Sequence, residues 1–164
     1  MANRVQIKAV VVSVSDTRTE QTDVSGVTLV GLLIGIGAEI VEKRLVTDDF
    51  ENLRQTLAVL TERESVNLII TTGGTGLAER DNTPEATNAV IEREVPGVIE
   101  AMRIQTLKNT PTAMLSRGIC GTKNQTLIIN LPGSPKAVQE CFAIIKPILQ
   151  HAVNQIGGET KHNE

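Results

Sequence analysis

Two aspartates stand where an α/β protein would place chemistry. Asp48 follows the β-branched run at 40–46, and Asp81 follows the turn Gly73-Gly74-Thr75-Gly76 within Arg80-Asp81-Asn82-Thr83-Pro84. Two further polar segments close apolar runs: Ser13, Ser15 and Asp16 after the first, and Pro132-Gly133-Ser134-Pro135 after 126–131. Glycines at strand ends let main-chain N–H groups approach an anion, and the helix starts at Thr83 and Ser134 add positive potential. Carboxylates beside such a cradle suit a hard cation, so the residue types point to Mg²⁺ held by one or two Asp side chains with backbone donors on phosphates. Phosphoryl or nucleotidyl transfer is the matching chemistry, because an ionised phosphate nucleophile needs no base. No base is offered: His151 and His162 fall in the last helical pattern and the tail.

Each of these residues also has a structural use. A Gly pair after a strand makes a tight turn. Asp48 with Glu51 reads as a helix cap, and Ser134 as another. Arg80 and Arg117 steer phosphates or are simply solvated. Other chemistries are excluded by what is missing: no GxxxxGK[ST] loop, GxGxxG fingerprint or GxSxG elbow occurs.

The elements that must position these residues alternate in period. Runs at 7–14, 40–46, 66–72 and 126–131 read as strands, three of them nearly continuous in apolar residues and therefore buried on both faces. Between them lie helical patterns: about 27–36, capped by Ser25 or Asp23 and ended by Gly37; one from Asp48 carrying Leu53, Leu57 and Leu60; one from Thr83 to about Glu94; and one over 97–108. Residues 109–122 read as irregular or as a short edge strand. The last helix starts at Ser134-Pro135 and contains Pro147, where a kink is expected. This alternation predicts an α/β fold with a mostly parallel central sheet, whose carboxyl edge gathers the polar turns near a topological switch point.

Composition bounds the remainder. The chain has 164 residues, 40% apolar but with two Phe, no Trp and no Tyr, so one core of Val, Ile, Leu and Ala suffices. Residues 1–158 read as a single domain and 159–164 as a frayed polar tail. Stacking platforms for single-stranded nucleic acid lack their rings, and a net charge of −3 gives no basic footprint for a duplex. Phe50 is the sole aromatic near the polar turns. Cys120 and Cys141 form no CxxC, no run reaches the ~20 apolar residues of a membrane span, and no signal peptide is apparent. A cytoplasmic protein is expected.

The strings TTGGTG at 71–76, RDNTPEA at 80–86, LSRG at 115–118 and LIINLPGSP at 127–135 closely resemble the molybdopterin-binding family of molybdenum-cofactor biosynthesis, which includes bacterial MogA and MoaB proteins and the gephyrin G domain. The likeness runs from VSVSDT at 12–17 to the final helix. It implies a three-layer α/β/α sandwich, a homotrimer or higher multiple, and binding of molybdopterin. In active members it implies transfer of AMP from Mg-ATP to the molybdopterin terminal phosphate with release of pyrophosphate; the alternative is a non-catalytic molybdopterin-binding scaffold of the same pathway, working with its other proteins. By motif, Asp48 and Asp81 are then the catalytic and Mg²⁺-binding acids. Substrates would be held by Ser13, Ser15, Gly73, Gly74, Thr75, Gly76, Arg80, Ser116, Arg117, Pro132, Gly133 and Ser134.

Overall fold

Three of the four β-branched runs form the middle of one sheet, and the fourth, at 40–46, forms one edge. The structure, a computed structural model, describes residues 4–158; the expected tail at 159–164 lies outside them. In chain order the elements are β1 Lys8–Val14, α1 Val24–Gly35, β2 Glu39–Val46, α2 Phe50–Thr61, β3 Leu68–Thr72, α3 Thr83–Asn88, β4 Arg93–Glu94, α4 Pro96–Thr106, a 3-10 turn Pro111–Leu115, β5 Cys120–Lys123, β6 Thr126–Leu131 and α5 Pro135–Ile156. The sheet order is β2-β1-β3-β6-β5-β4. β1 runs parallel to β2 and β3, β3 runs parallel to β6, and β5 is antiparallel to both β6 and β4.

Strand alternation divides the core into two layers. Ala9 and Val11 of β1, Leu68 and Ile70 of β3, and Leu127 and Ile129 of β6 face α1, α4 and α5. Val10, Val12, Ile69 and Ile128 face Leu53, Leu57 and Leu60 of α2 and Ala86 of α3. The molecule is thus the expected three-layer sandwich around a mostly parallel sheet.

Three local expectations are corrected. Asp48 does not cap α2; Asp49 does, accepting the Asn52 N–H at 2.8 Å. Thr83 does not cap α3 either, because its hydroxyl donates to the Gly73 carbonyl at 2.9 Å and the cap position falls to Asn82. α3 ends at Asn88 rather than near Glu94: Val90 and Ile91 turn into the α2-side core, and the Glu92 N–H donates to the Thr122 carbonyl at 2.8 Å. Packing and strand pairing outweigh helical propensity there. Residues 109–122 hold a 3-10 turn and the start of a strand, β5, but not the expected edge strand: β5 is paired on both sides, by β6 and β4, and β4 forms the edge. α5 continues through Pro147 as one helix of 22 residues.

Candidate functional site

The chain leaves β1 for β2 and returns to β3 on β1's other side, so the loops after β1 and β3 separate at a switch point. Two glycines make the turn after β3 possible. Gly73 has φ +101°, and a Cβ there would stand 2.4 Å from the Val14 carbonyl oxygen. Gly74 has φ +67°, and its Cβ would stand 2.3 Å from Thr83 Oγ1 and 3.3 Å from Asp48 Oδ1. Side chains are therefore excluded by backbone conformation and by space. The turn is tied to its neighbours: Gly73 N–H donates to the Leu131 carbonyl at 3.1 Å and Thr83 N–H to the Gly74 carbonyl at 3.1 Å.

Both candidate acids lie against this loop. Asp48, 7% exposed, makes a reciprocal bridge with Asp16: its Oδ2 accepts the Asp16 N–H at 3.0 Å, and its own N–H donates to Asp16 Oδ1 at 2.8 Å. Asp81 Oδ2 accepts the Ala78 N–H at 3.0 Å and would lie 2.8 Å from a Cβ on Gly76. Oδ1 of each acid makes no hydrogen bond among the described residues. Burial and the nearby Asp16 and Asp81 charges push the Asp48 carboxyl above its ordinary range, outweighing the Asp16 N–H and Arg80, which pull it down. A divalent cation relieves that repulsion, and two free carboxylate oxygens completed by phosphate oxygens suit Mg²⁺. Among the described residues no cluster of three or more His, Cys, Asp or Glu side chains is placed to enclose a metal by itself, so a metal here would depend on its nucleotide.

Arg117 holds the other side of the loop. Its Nε donates to the Gly76 carbonyl at 2.8 Å and its Nη2 to the Asp81 carbonyl at 2.7 Å, while Nη1 pairs with Glu85. Its guanidinium is thus committed to protein groups, which makes it a positioning residue for Asp81. Arg103, which the sequence did not single out, fixes the preceding residue by donating twice to the Ser116 carbonyl. Asn130 was also missed, although a polar residue in an apolar strand was a visible signal. Its amide donates to Thr71 and Thr87 at 3.0 and 2.9 Å and accepts the Ile119 N–H at 3.0 Å, joining β3, α3, β6 and the Arg117 segment.

The loop after β6 is anchored from α1. The Gly133 carbonyl accepts both the Ser25 hydroxyl and Arg18 Nη2 at 2.7 Å, and Ser134 caps α5 by accepting the Ala137 N–H at 3.2 Å. Ser13, expected among the substrate contacts, is instead wholly buried on the α1 side of β1, within 2.4 Å of where a Gly26 Cβ would lie. Ser15 closes the turn after β1 by accepting the N–H groups of Thr17 and Arg18. Arg80 is exposed and acts on Asp48 by charge.

A cleft of about 750 Å³ opens beside the loops. Gly74, Thr75, Gly76, Asp81, Ser116, Pro132, Gly133 and Ser134 are among the residues that line it. Ile99 and Met102 of α4 and Cys141 of α5 make its apolar wall. Burial pushes the Cys141 thiol up to about 11, so it stays protonated and serves as surface rather than nucleophile. No aromatic residue lines the cleft among the described residues: Phe50, the expected ring, sits 38% exposed in the first turn of α2.

Residues 10–151 match the family model described as "Probable molybdopterin binding domain". The "Molybdopterin adenylyltransferase" of Helicobacter pylori is 43% identical over 114 residues, covering 70% of this chain and 65% of that protein. The "Molybdenum cofactor synthesis protein cinnamon" of Drosophila melanogaster is 43% identical over 152 residues, covering 91% of this chain and 25% of that protein. The chain therefore spans between a quarter and about two thirds of the length of these relatives. Among solved structures, the molybdopterin biosynthesis enzyme MoaB of Thermus thermophilus superposes with a TM-score of 0.86 at 41% identity, covering 93% of this chain and 98% of that one.

Proposed function

Because the chain belongs to the molybdopterin-binding domain family, we propose that it acts in molybdenum-cofactor biosynthesis as a nucleotidyltransferase that adenylylates molybdopterin. An oxygen of the molybdopterin terminal phosphate forms a bond to the α-phosphorus of ATP while the bond to the pyrophosphate oxygen breaks, giving adenylylated molybdopterin and pyrophosphate. The observation that carries this reading is the carboxylate oxygen, without a hydrogen bond among the described residues, that Asp48 and Asp81 each hold beside one glycine turn, with Asp81 and Gly74–Gly76, though not Asp48, lining a substrate-sized cleft. Asp48 and Asp81 would hold Mg²⁺, which when bound neutralises phosphate charge as two anions meet. The Gly73–Gly76 main chain and the α5 N-terminus at Ser134 supply donors and positive potential to phosphates. Arg117 keeps Asp81 in place, and Arg80 remains available to an anion.

Adenylylation is tested by incubating the chain with molybdopterin, ATP and Mg²⁺. AMP transfer with stoichiometric pyrophosphate is expected, and Asp81→Asn should lower it by about 10²–10³-fold. Binding of both ligands without product would replace this reading with a carrier role, and ATP turnover without any pterin would replace it with a hydrolase. The family and the uncharged outer face of α1 also support assembly as a homotrimer or a multiple of it. Two free, buried cysteines, Cys120 and Cys141, suit a reducing cytoplasm, and no helix among the described residues is long and apolar enough to cross a membrane.

A further inference from the structure

The α5 wall of the cleft contains one acid that the chemistry above does not use. Glu140 lies on α5 six positions after Ser134, about 9 Å along the helix, and lines the cleft beside Ile99, Met102, Ala137 and Cys141. Its side chain is 23% exposed, and its one ion-pair partner among the described residues is Lys136 at 3.8 Å, whose own side chain is 78% exposed. That is an open, weak surface pair. Arg103, the other cation on this wall, already donates to the Ser116 carbonyl through Nε and Nη2. Glu140 therefore presents two carboxylate oxygens, acceptors only, next to an apolar surface.

We infer that Glu140 reads the ring edge of the pterin, accepting hydrogen bonds from its 2-amino group and its N3–H while the apolar wall covers a ring face. The inference rests on the molybdopterin reading of this cleft and assigns the ligand's direction: pterin toward α4 and α5, phosphate toward Asp81. A 2-amino-4-oxo pyrimidine ring offers two parallel N–H donors to a carboxylate, the arrangement that makes bidentate pairs strong and directional. Adenine offers one donor and one acceptor on the corresponding edge, so its N1 would face a carboxylate oxygen and be repelled. Glu140 thus separates the two heterocycles that the reaction must bind, without an aromatic platform.

The test compares pterin with lumazine, its 2-oxo analogue, by fluorescence titration of the whole chain and of E140Q. Wild type should bind pterin at least about tenfold more tightly than lumazine, because a site built for a donor rejects an analogue that presents an acceptor. E140Q offers one acceptor and one donor, so its preference should invert toward lumazine, with the KM for molybdopterin raised and the KM for ATP unchanged. Inversion is not an outcome that a purely structural role produces. Equal binding of the two rings by wild type, or an unchanged preference in E140Q, overturns the inference while leaving adenylylation intact. A wild-type chain that binds pterin selectively but never forms adenylylated product overturns the functional reading instead.

Discussion

Single side chains divide here into those proposed to meet phosphate and those that hold the first group in place. Asp81→Asn and Asp48→Asn should each lower adenylylation by about 10²–10³-fold, the cost of losing one group aimed at transition-state charge. Neither change should lower the melting temperature, because each acid already carries an oxygen without a hydrogen-bond partner among the described residues. Scanning calorimetry beside the rate assay checks both halves. Asp23 is the contrasting case. It is 1% exposed, caps α1 through the Gly26 N–H, and meets Lys43 Nζ at 2.8 Å. Burial alone would push its carboxyl up, but the Lys43 ammonium and the Gly26 N–H hold it below the ordinary 3.8. A carboxyl depressed in the folded state contributes stability that is complete above pH 3.8 and is lost as pH falls through its lower folded value. Urea unfolding between about pH 5 and 2 should therefore show a steeper loss for wild type than for Asp23→Asn, and parallel curves would remove Asp23 from the acid response.

At the scale of elements, function depends on turns whose backbone admits one residue type and on polar ties between layers. Gly73→Ala would drive a methyl against the Val14 carbonyl at 2.4 Å and strain a positive φ, so the loop must shift away from β1. The expected outcome is a destabilisation of roughly 1–3 kcal/mol together with loss of adenylylation, measured by chemical denaturation and the same assay. Asn130→Ala would strand the Thr71 and Thr87 hydroxyls and the Ile119 N–H, at about 1–3 kcal/mol for each buried group left unpaired, and would loosen Arg117 two residues from Ile119. These elements also show what could be read from residues alone. β3 and β6 were legible because LIITT and LIINL are β-branched and end in glycine turns, and α5 because Ser134-Pro135 opens a long apolar face. The end of α3 was not, since Val90 and Ile91 continue a helical pattern and only the pairing of Glu92 with Thr122 turns the chain into a strand. Asp48 and Ser13 mark the same limit from the site's side. Type and spacing put both at strand ends, but the pleat turned Ser13 inward beneath Gly26 and left capping of α2 to Asp49.

For the molecule as a whole, the outer face of α1 is the feature that one chain does not explain. The helix carries no charged residue. Val24, Val27 and Ile34 are 58%, 59% and 58% exposed, and a Cβ on Gly31 or Gly35 would touch nothing. At 100° per residue these five positions fall within an arc of roughly 100°, opposite the buried Leu29 and Leu33. Scattered apolar side chains on a surface are ordinary; a continuous stripe without a charge, flanked by glycines that admit a close neighbour, is the composition of an interface. Closed symmetry then requires the same face on every copy. Light scattering at micromolar concentration should give a mass of three chains or a multiple of three, and Val27→Glu combined with Ile34→Glu should reduce it to that of one chain with the helical circular dichroism retained. The two substitutions lie on solvent-facing positions, so unfolding does not account for such a change. A wild-type chain that runs as a stable monomer would show that the stripe serves some other contact. Because Ser25 of α1 and Arg18 of the loop before it also anchor Gly133, the dissociated variant is further expected to lose adenylylation in part, which would tie assembly to the geometry of the loop after β6.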